Sequence, residues 1–145
     1  MSLNVLIIAV AILGLVAGLA LAQTQKASNV YTATLYKDVK GEVRWKLTHQ
    51  NGNIVADSGE GYKNHLDCKV AFTNLAAGLG TSRYNATIYK DVKGEVRWKL
   101  THENGNVVAD SGEGYKNLGD CATSLGNIAK ALSVGDFTID DKIGQ

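Results

Sequence analysis

A stretch of 29 residues occurs twice, and this constrains the fold of the chain more than any other feature. Tyr36 to Asn64 reads YKDVKGEVRWKLTHQNGNIVADSGEGYKN, and Tyr89 to Asn117 repeats it with only Gln50/Glu103 and Ile54/Val107 changed, at an offset of 53 residues. A period of that length means a duplicated supersecondary unit. Within each copy Val43, Trp45 and Leu47 alternate with Arg44, Lys46 and Thr48, the period-two signature of a strand with one buried face. Asp38 and Gly41 suit positions i and i+3 of a type I turn leading back to a strand over 31–37. Asn51-Gly52 and Asn104-Gly105 match a two-residue type I′ hairpin leading to a third strand over 53–57 and its counterpart.

The period then changes to that of a helix. Asn64 with Asp67, and Asn117 with Asp120, read as an N-cap followed by a carboxylate in the first turn. Cys68, Phe72, Leu75 and Leu79 form an apolar stripe in the first helix, and Leu118, Cys121, Leu125, Ile128 and Leu132 form one in the second. Phe137 and Ile139 alternate with polar residues as a short last strand. A unit of about 50 residues buries little surface by itself, so the two copies are expected to share one core about a pseudo-twofold axis. The fold class is therefore α+β: tandem β(3)-α repeats forming one pseudo-twofold domain with an antiparallel sheet, followed by the short last strand. Repeat one covers 31–80, repeat two 84–132 and the terminal strand 134–141, within a domain spanning 26–145.

Ahead of this domain, residues 3–22 carry no charged side chain. As a helix such a run is about 30 Å long, the thickness of a bilayer core. In one reading residues 1–25 are a retained helix, a membrane anchor or an assembly helix, with Gly14, Gly18 and Ala22 as a small-xxx-small packing stripe. In the other they are a signal peptide, with Ala20-Leu21-Ala22 as a small-x-small cleavage pattern before Gln23, although the apolar run exceeds the usual length and has no positive n-region. Both readings place the protein outside the cytoplasm or against a membrane.

The residues that carry chemistry are few. His49 and His102 sit beside the hairpin turns and would need to converge with a third ligand to hold a metal. His65 has no partner in the second copy. Cys68 and Cys121 occupy equivalent helix positions, which makes them candidates for a disulfide if the helices meet across the axis; packing as small buried residues is the alternative. Gly59-Glu60-Gly61-Tyr62-Lys63 lacks both the dinucleotide fingerprint and the P-loop lysine, and reads as a bent strand exit with Tyr62 against the helix start. Glu60 and Glu113 would act as paired acids only if those corners met. Arg44, Lys46, Arg97 and Lys99, with Lys37 and Lys90, lie on the polar strand faces. Neighbouring acids and a net charge of +1 dilute that strip, so nucleic acid is not expected as a partner.

The repeated stretch resembles the YegP-like domain-of-unknown-function family of small bacterial and archaeal proteins. The resemblance rests on Tyr36-Lys37-Asp38 before a glycine turn, Arg44-Trp45, Asn51-Gly52 and Ser58-Gly59-Glu60-Gly61-Tyr62, each with its partner 53 residues on. It implies a β(3)-α-β repeat, two copies joined in one sheet system with exchange of terminal strands, and no particular activity. The apolar N-terminal segment departs from the family's common soluble form.

The expectation is a non-enzymatic exported structural or interaction protein with no cofactor and no metal. It would be anchored through residues 3–22 or self-associate through that helix as an extracellular filament or envelope layer. The contrasting expectation is a soluble periplasmic or secreted binding module released after Ala22.

Overall fold

The computed structural model describes residues 30–144. They form seven strands and two helices: β1 (Tyr31–Lys37), β2 (Val43–His49), β3 (Ile54–Asp57), α1 (His65–Gly78), β4 (Tyr84–Lys90), β5 (Val96–His102), β6 (Val107–Asp110), α2 (Leu118–Ser133) and β7 (Phe137–Asp141). The expected segment over residues 1–25, with Gly14, Gly18 and Ala22, lies outside the described residues. No helix among the described residues is long and apolar enough to cross a membrane.

All seven strands belong to one sheet in the order β4-β5-β6-β3-β2-β1-β7. Six form an antiparallel run, and β7 pairs in parallel with β1, Tyr31 opposite Phe137 and Leu35 opposite Asp141. The sheet is thus mixed rather than antiparallel throughout. A parallel neighbour requires a crossover, and here β7 returns from the second helix to the first repeat. The strand after each helix joins the other repeat's half of the sheet, β4 onto β5 and β7 onto β1. Because β4 is also the first strand of its own repeat, the halves are unequal: β3-β2-β1-β7 against β6-β5-β4.

The turns follow from the sequence with one correction. Gly41 N–H donates to the Asp38 carbonyl at 3.0 Å and Asp38 N–H to the Glu42 carbonyl, the expected type I turn, with Gly41 at φ +80° as its closing glycine bulge. At the second hairpin, Gly52 N–H donates to the His49 carbonyl and His49 N–H to the Asn53 carbonyl. These bonds close a three-residue loop, Gln50-Asn51-Gly52, with Gly52 alone supplying the left-handed position at φ +91°. That is a type I turn with a glycine bulge, not the expected two-residue turn. A separate irregularity, with Val55 as the extra residue, shifts the β2–β3 register between Leu47 and Thr48, and Val108 does the same in the second repeat.

Asn64 and Asn117 cap their helices by accepting from the backbone N–H of Asp67 and Asp120, both at 2.8 Å. One face of each helix lies on the sheet. Phe72 meets Trp45 edge-to-face at 5.1 Å and Phe137 at 5.4 Å. The core holds Ala33, Leu35, Trp45, Leu47, Cys68, Phe72 and Leu75 from the first half. From the second it holds Trp98, Leu100, Cys121, Ile128 and Leu132. Leu118, placed on the stripe by spacing, is the first residue of α2 and is exposed.

Candidate functional site

Neither helix covers the second face of the sheet. It carries Tyr36 from β1, Arg44 and Lys46 from β2, Asp57 from β3, and their counterparts Tyr89, Arg97, Lys99 and Asp110. The charges on this face are organised locally. Arg44 Nε donates to Asp38 Oδ2 at 2.6 Å and Arg44 Nη2 to Glu42 Oε2 at 3.3 Å. Asp38 Oδ1 also accepts from the backbone N–H of Lys40 and Glu42. The Arg44 guanidinium, with those amides, holds the Asp38 carboxyl below the usual carboxylate range. Arg97, Asp91 and Glu95 repeat the arrangement. Lys46 places its ammonium 5.3 Å from the centre of the Tyr36 ring, and Lys99 does so over Tyr89 at 5.6 Å, within the range of cation–π attraction. The strip read from the sequence as diluted by neighbouring acids is here a set of local pairs at Arg44, Arg97, Lys46 and Lys99 rather than a free positive field.

At the centre, Asp57 of β3 stands opposite Asp110 of β6. Burial, followed by the facing Asp110 carboxylate, pushes the Asp57 carboxyl up to about 6. Burial raises Asp110 too, and Arg97 partly offsets this. Two half-buried carboxyls bonded to each other favour sharing one proton, so the pair is a neutral-to-anionic centre between two arginines.

The corners behind this pair explain Gly59 and Gly112. A Cβ on Gly59 would lie 2.3 Å from the Val107 carbonyl oxygen, and one on Gly112 would lie 2.4 Å from that of Ile54. Each corner presses on the backbone of the other repeat, so the Gly-x-Gly pattern is a packing device, in keeping with a bent strand exit. Glu60 and Glu113 show no contact with each other.

The histidines do not form a common centre. His49 Nδ1 accepts from Asn51 N–H at 3.2 Å and the ring lies edge-on to Tyr31 at 5.3 Å; His102 does likewise with Asn104 and Tyr84. Each borders a shallow groove of about 330 Å³ beside the C-terminal half of a helix, with Asn127 and Lys130 at one and Asn74 and Arg83 at the other. No group of three His, Cys, Asp or Glu side chains among the described residues is arranged to hold a metal. Spacing gave His65 no role, yet its Nε2 lies 2.6 Å from Asp141 Oδ2, fastening β7 to the start of α1.

Cys68 and Cys121 are free, fully buried thiols, not the bridge that equivalent positions suggested. Each lies beneath its own helix near its own repeat's tyrosine, Tyr62 or Tyr115. Burial raises both thiols, Cys68 to about 11, which disfavours the reactive thiolate.

Fold and surface together define a tandem α+β module that presents one polar sheet face twice. A family model described as a domain of unknown function, DUF1508, matches residues 38–71 and 91–130, together just over half of the chain. The chain belongs to that family. The UPF0339 proteins NMB1088 of Neisseria meningitidis serogroup B and NMA1193/NMA1859 of serogroup A are each 49% identical over 37 residues, covering 26% of this chain and 64% of theirs. The chain thus spans under two thirds of the length of these curated relatives. Among solved structures, the solution structure of YegP from E. coli, a protein of unknown function, is similar with a TM-score of 0.65 at 17% identity, covering 80% of this chain and 96% of that one. UPF0339 protein SO3888 from Shewanella oneidensis gives 0.64 at 15%, covering 77% and 91%. At these identities the likeness shows the fold.

Proposed function

We infer that this chain is a non-enzymatic structural or interaction protein of the cell envelope or exterior, held at a membrane or joined to its own copies through the apolar segment ahead of the repeat domain. The observation that carries this reading is the uncharged run over residues 3–22, of bilayer length, attached to a domain with a duplicated face. The chemistry of the domain supports it. Arg44, Arg97, Asp38 and Asp91 are spent on turns, the thiols are buried and held protonated, and the histidines brace hairpins. The small-x-small pattern at Ala20-Leu21-Ala22 favours a second reading, a secreted or periplasmic binding module released by cleavage after Ala22.

Electron microscopy and membrane flotation of native material test the first reading. Filaments, a layer, or co-flotation with lipid are expected. Dispersed monomers that remain with the soluble fraction contradict it.

A further inference from the structure

At the outer edge of β4 the duplication leaves a strand without its counterpart's neighbour. Tyr31, Tyr84 and Phe137 lie at successive offsets of 53 residues, so β1, β4 and β7 are the same strand of successive units, the last cut short. In the first half β7 covers the outer edge of β1, and Tyr31, Ala33 and Leu35 are buried, the latter two completely. In the second half nothing among the described residues lies beyond β4. There Ala86 is exposed, and Tyr84 and Ile88 are only partly covered.

The backbone of β4 is set for a further strand. Arg83 gives its carbonyl to Glu103 N–H, so residues of its parity pair with β5, whereas Ala86, Ile88 and Lys90 direct N–H and C=O outward and Tyr84 its C=O, its N–H reaching the Thr81 carbonyl at 3.5 Å. In repeat one the same parity faces β7, where the Leu35 carbonyl accepts from Lys142 N–H. Sheet edges are normally blunted by proline, bulges, short length or inward charge. The β7 edge is short and carries Asp140 and Asp141. By contrast, β4 is seven residues long, pairs with β5 without a bulge, and has no charge between Tyr84 and Tyr89.

We propose that β4 is an assembly edge whose occupant is β4 of a second copy, paired antiparallel about a twofold axis at Thr87. Full overlap of the strand with itself sets this register. Ala86 then hydrogen-bonds opposite Ile88 of the second copy, Tyr84 opposite its Lys90, and the two Thr87 residues form the non-bonded pair on the axis. The outward groups of Ala86 and Ile88 find partners, because the two share the outward parity. The apolar side chains of both copies meet on the helix side, completing the cover that β7 gives to β1. Just beyond the strand, Arg83 of one copy comes opposite Asp91 of the other, so the ends are complementary in charge. The product is one fourteen-stranded sheet, seven strands from each copy, closed by isologous symmetry. This contact is independent of residues 1–25.

The test is site-specific crosslinking of the full chain in detergent micelles. Non-bonded antiparallel neighbours have Cα atoms within disulfide reach, while Cys68 and Cys121 are buried and do not compete. Thr87→Cys is expected to give, under mild oxidation, on the order of tenfold more disulfide-linked dimer than Asn85→Cys, whose own copies lie too far apart in this register. Adding Ala86→Lys with Ile88→Lys places like charges opposite one another and is expected to abolish that dimer. Ala86→Glu with Ile88→Lys places opposite charges there and is expected to restore it. Equal crosslinking at 85 and 87, no crosslinking at 87, or a dimer indifferent to the charge pattern would overturn the proposal. Association through the apolar segment alone produces the first of these outcomes, which separates the two contacts.

Discussion

Asp57 and Asp110 form the only registered residue pair between β3 and β6, so the two repeats become one continuous sheet at a pair of facing carboxyls. The joint lies between Arg44 and Arg97, whose charges lower the same carboxyls that burial raises. The seam between the copies is therefore sensitive to pH.

For Asp57 the folded-state value of about 6 lies above the ordinary carboxyl value of 3.8. Between those values the folded chain holds a proton that the unfolded chain has released, so stability falls as pH rises from about 4 to 6. Asp57→Asn removes the penalty. It is expected to flatten denaturation midpoints across that range and to gain about 1–3 kcal/mol at pH 7, read by urea titration at several pH values.

Asp141 shifts the other way. The amides of Gly144 and Ile143 and the His65 ring hold its carboxyl down, so its contribution is present at neutral pH and is lost as pH falls through its lowered folded value. The protection of β7 amides, relative to their intrinsic exchange rates, is expected to fall on acidification before the rest of the sheet opens. Asp141→Ala is expected to produce the same local loss at neutral pH.

Gly59→Ala drives a Cβ into the Val107 carbonyl. With backbone on both sides the strain has no cheap relief, and a loss of about 1–3 kcal/mol is expected. Gly126, within α2 and with nothing within 4 Å of its added Cβ, is the control. Gly126→Ala is expected to stabilise by about 0.5–1 kcal/mol. Thermal melts of the two variants should move in opposite directions.

Phe72 joins Trp45 to Phe137 and so ties β2, α1 and the returning β7 together. Phe72→Ala is expected to cost about 3–5 kcal/mol, measured by denaturant unfolding. Leu125 is its repeat-two equivalent but is only partly buried. Leu125→Ala should cost less.

The elements were legible because local signals agreed: period-two strands, asparagine caps with a carboxylate three residues on, and glycines at turns. The hairpin loop is ambiguous locally, because Asn51-Gly52 fits both a two-residue turn and the closing half of a three-residue one, and only the bonds of His49 distinguish them. The parallel return of β7 is not a local property. Its signal was the offset from Tyr84 to Phe137, which extends the repeat by one strand although the letters after Thr138 diverge. Burial beneath separate halves, which kept Cys68 and Cys121 apart, is likewise set by packing, and so is the fastening of β7 by His65, a residue whose counterpart in repeat two is Leu118. The meeting of Asp57 with Asp110 depends on how two copies join, which one copy's pattern does not specify.

The central claim, an exported protein held or assembled through its apolar segment, is tested most directly by the intact mass of the protein isolated from its native source. Retention of residues 1–22 is the expected result. A mature chain beginning at Gln23 would contradict the account and leave the released binding module in its place.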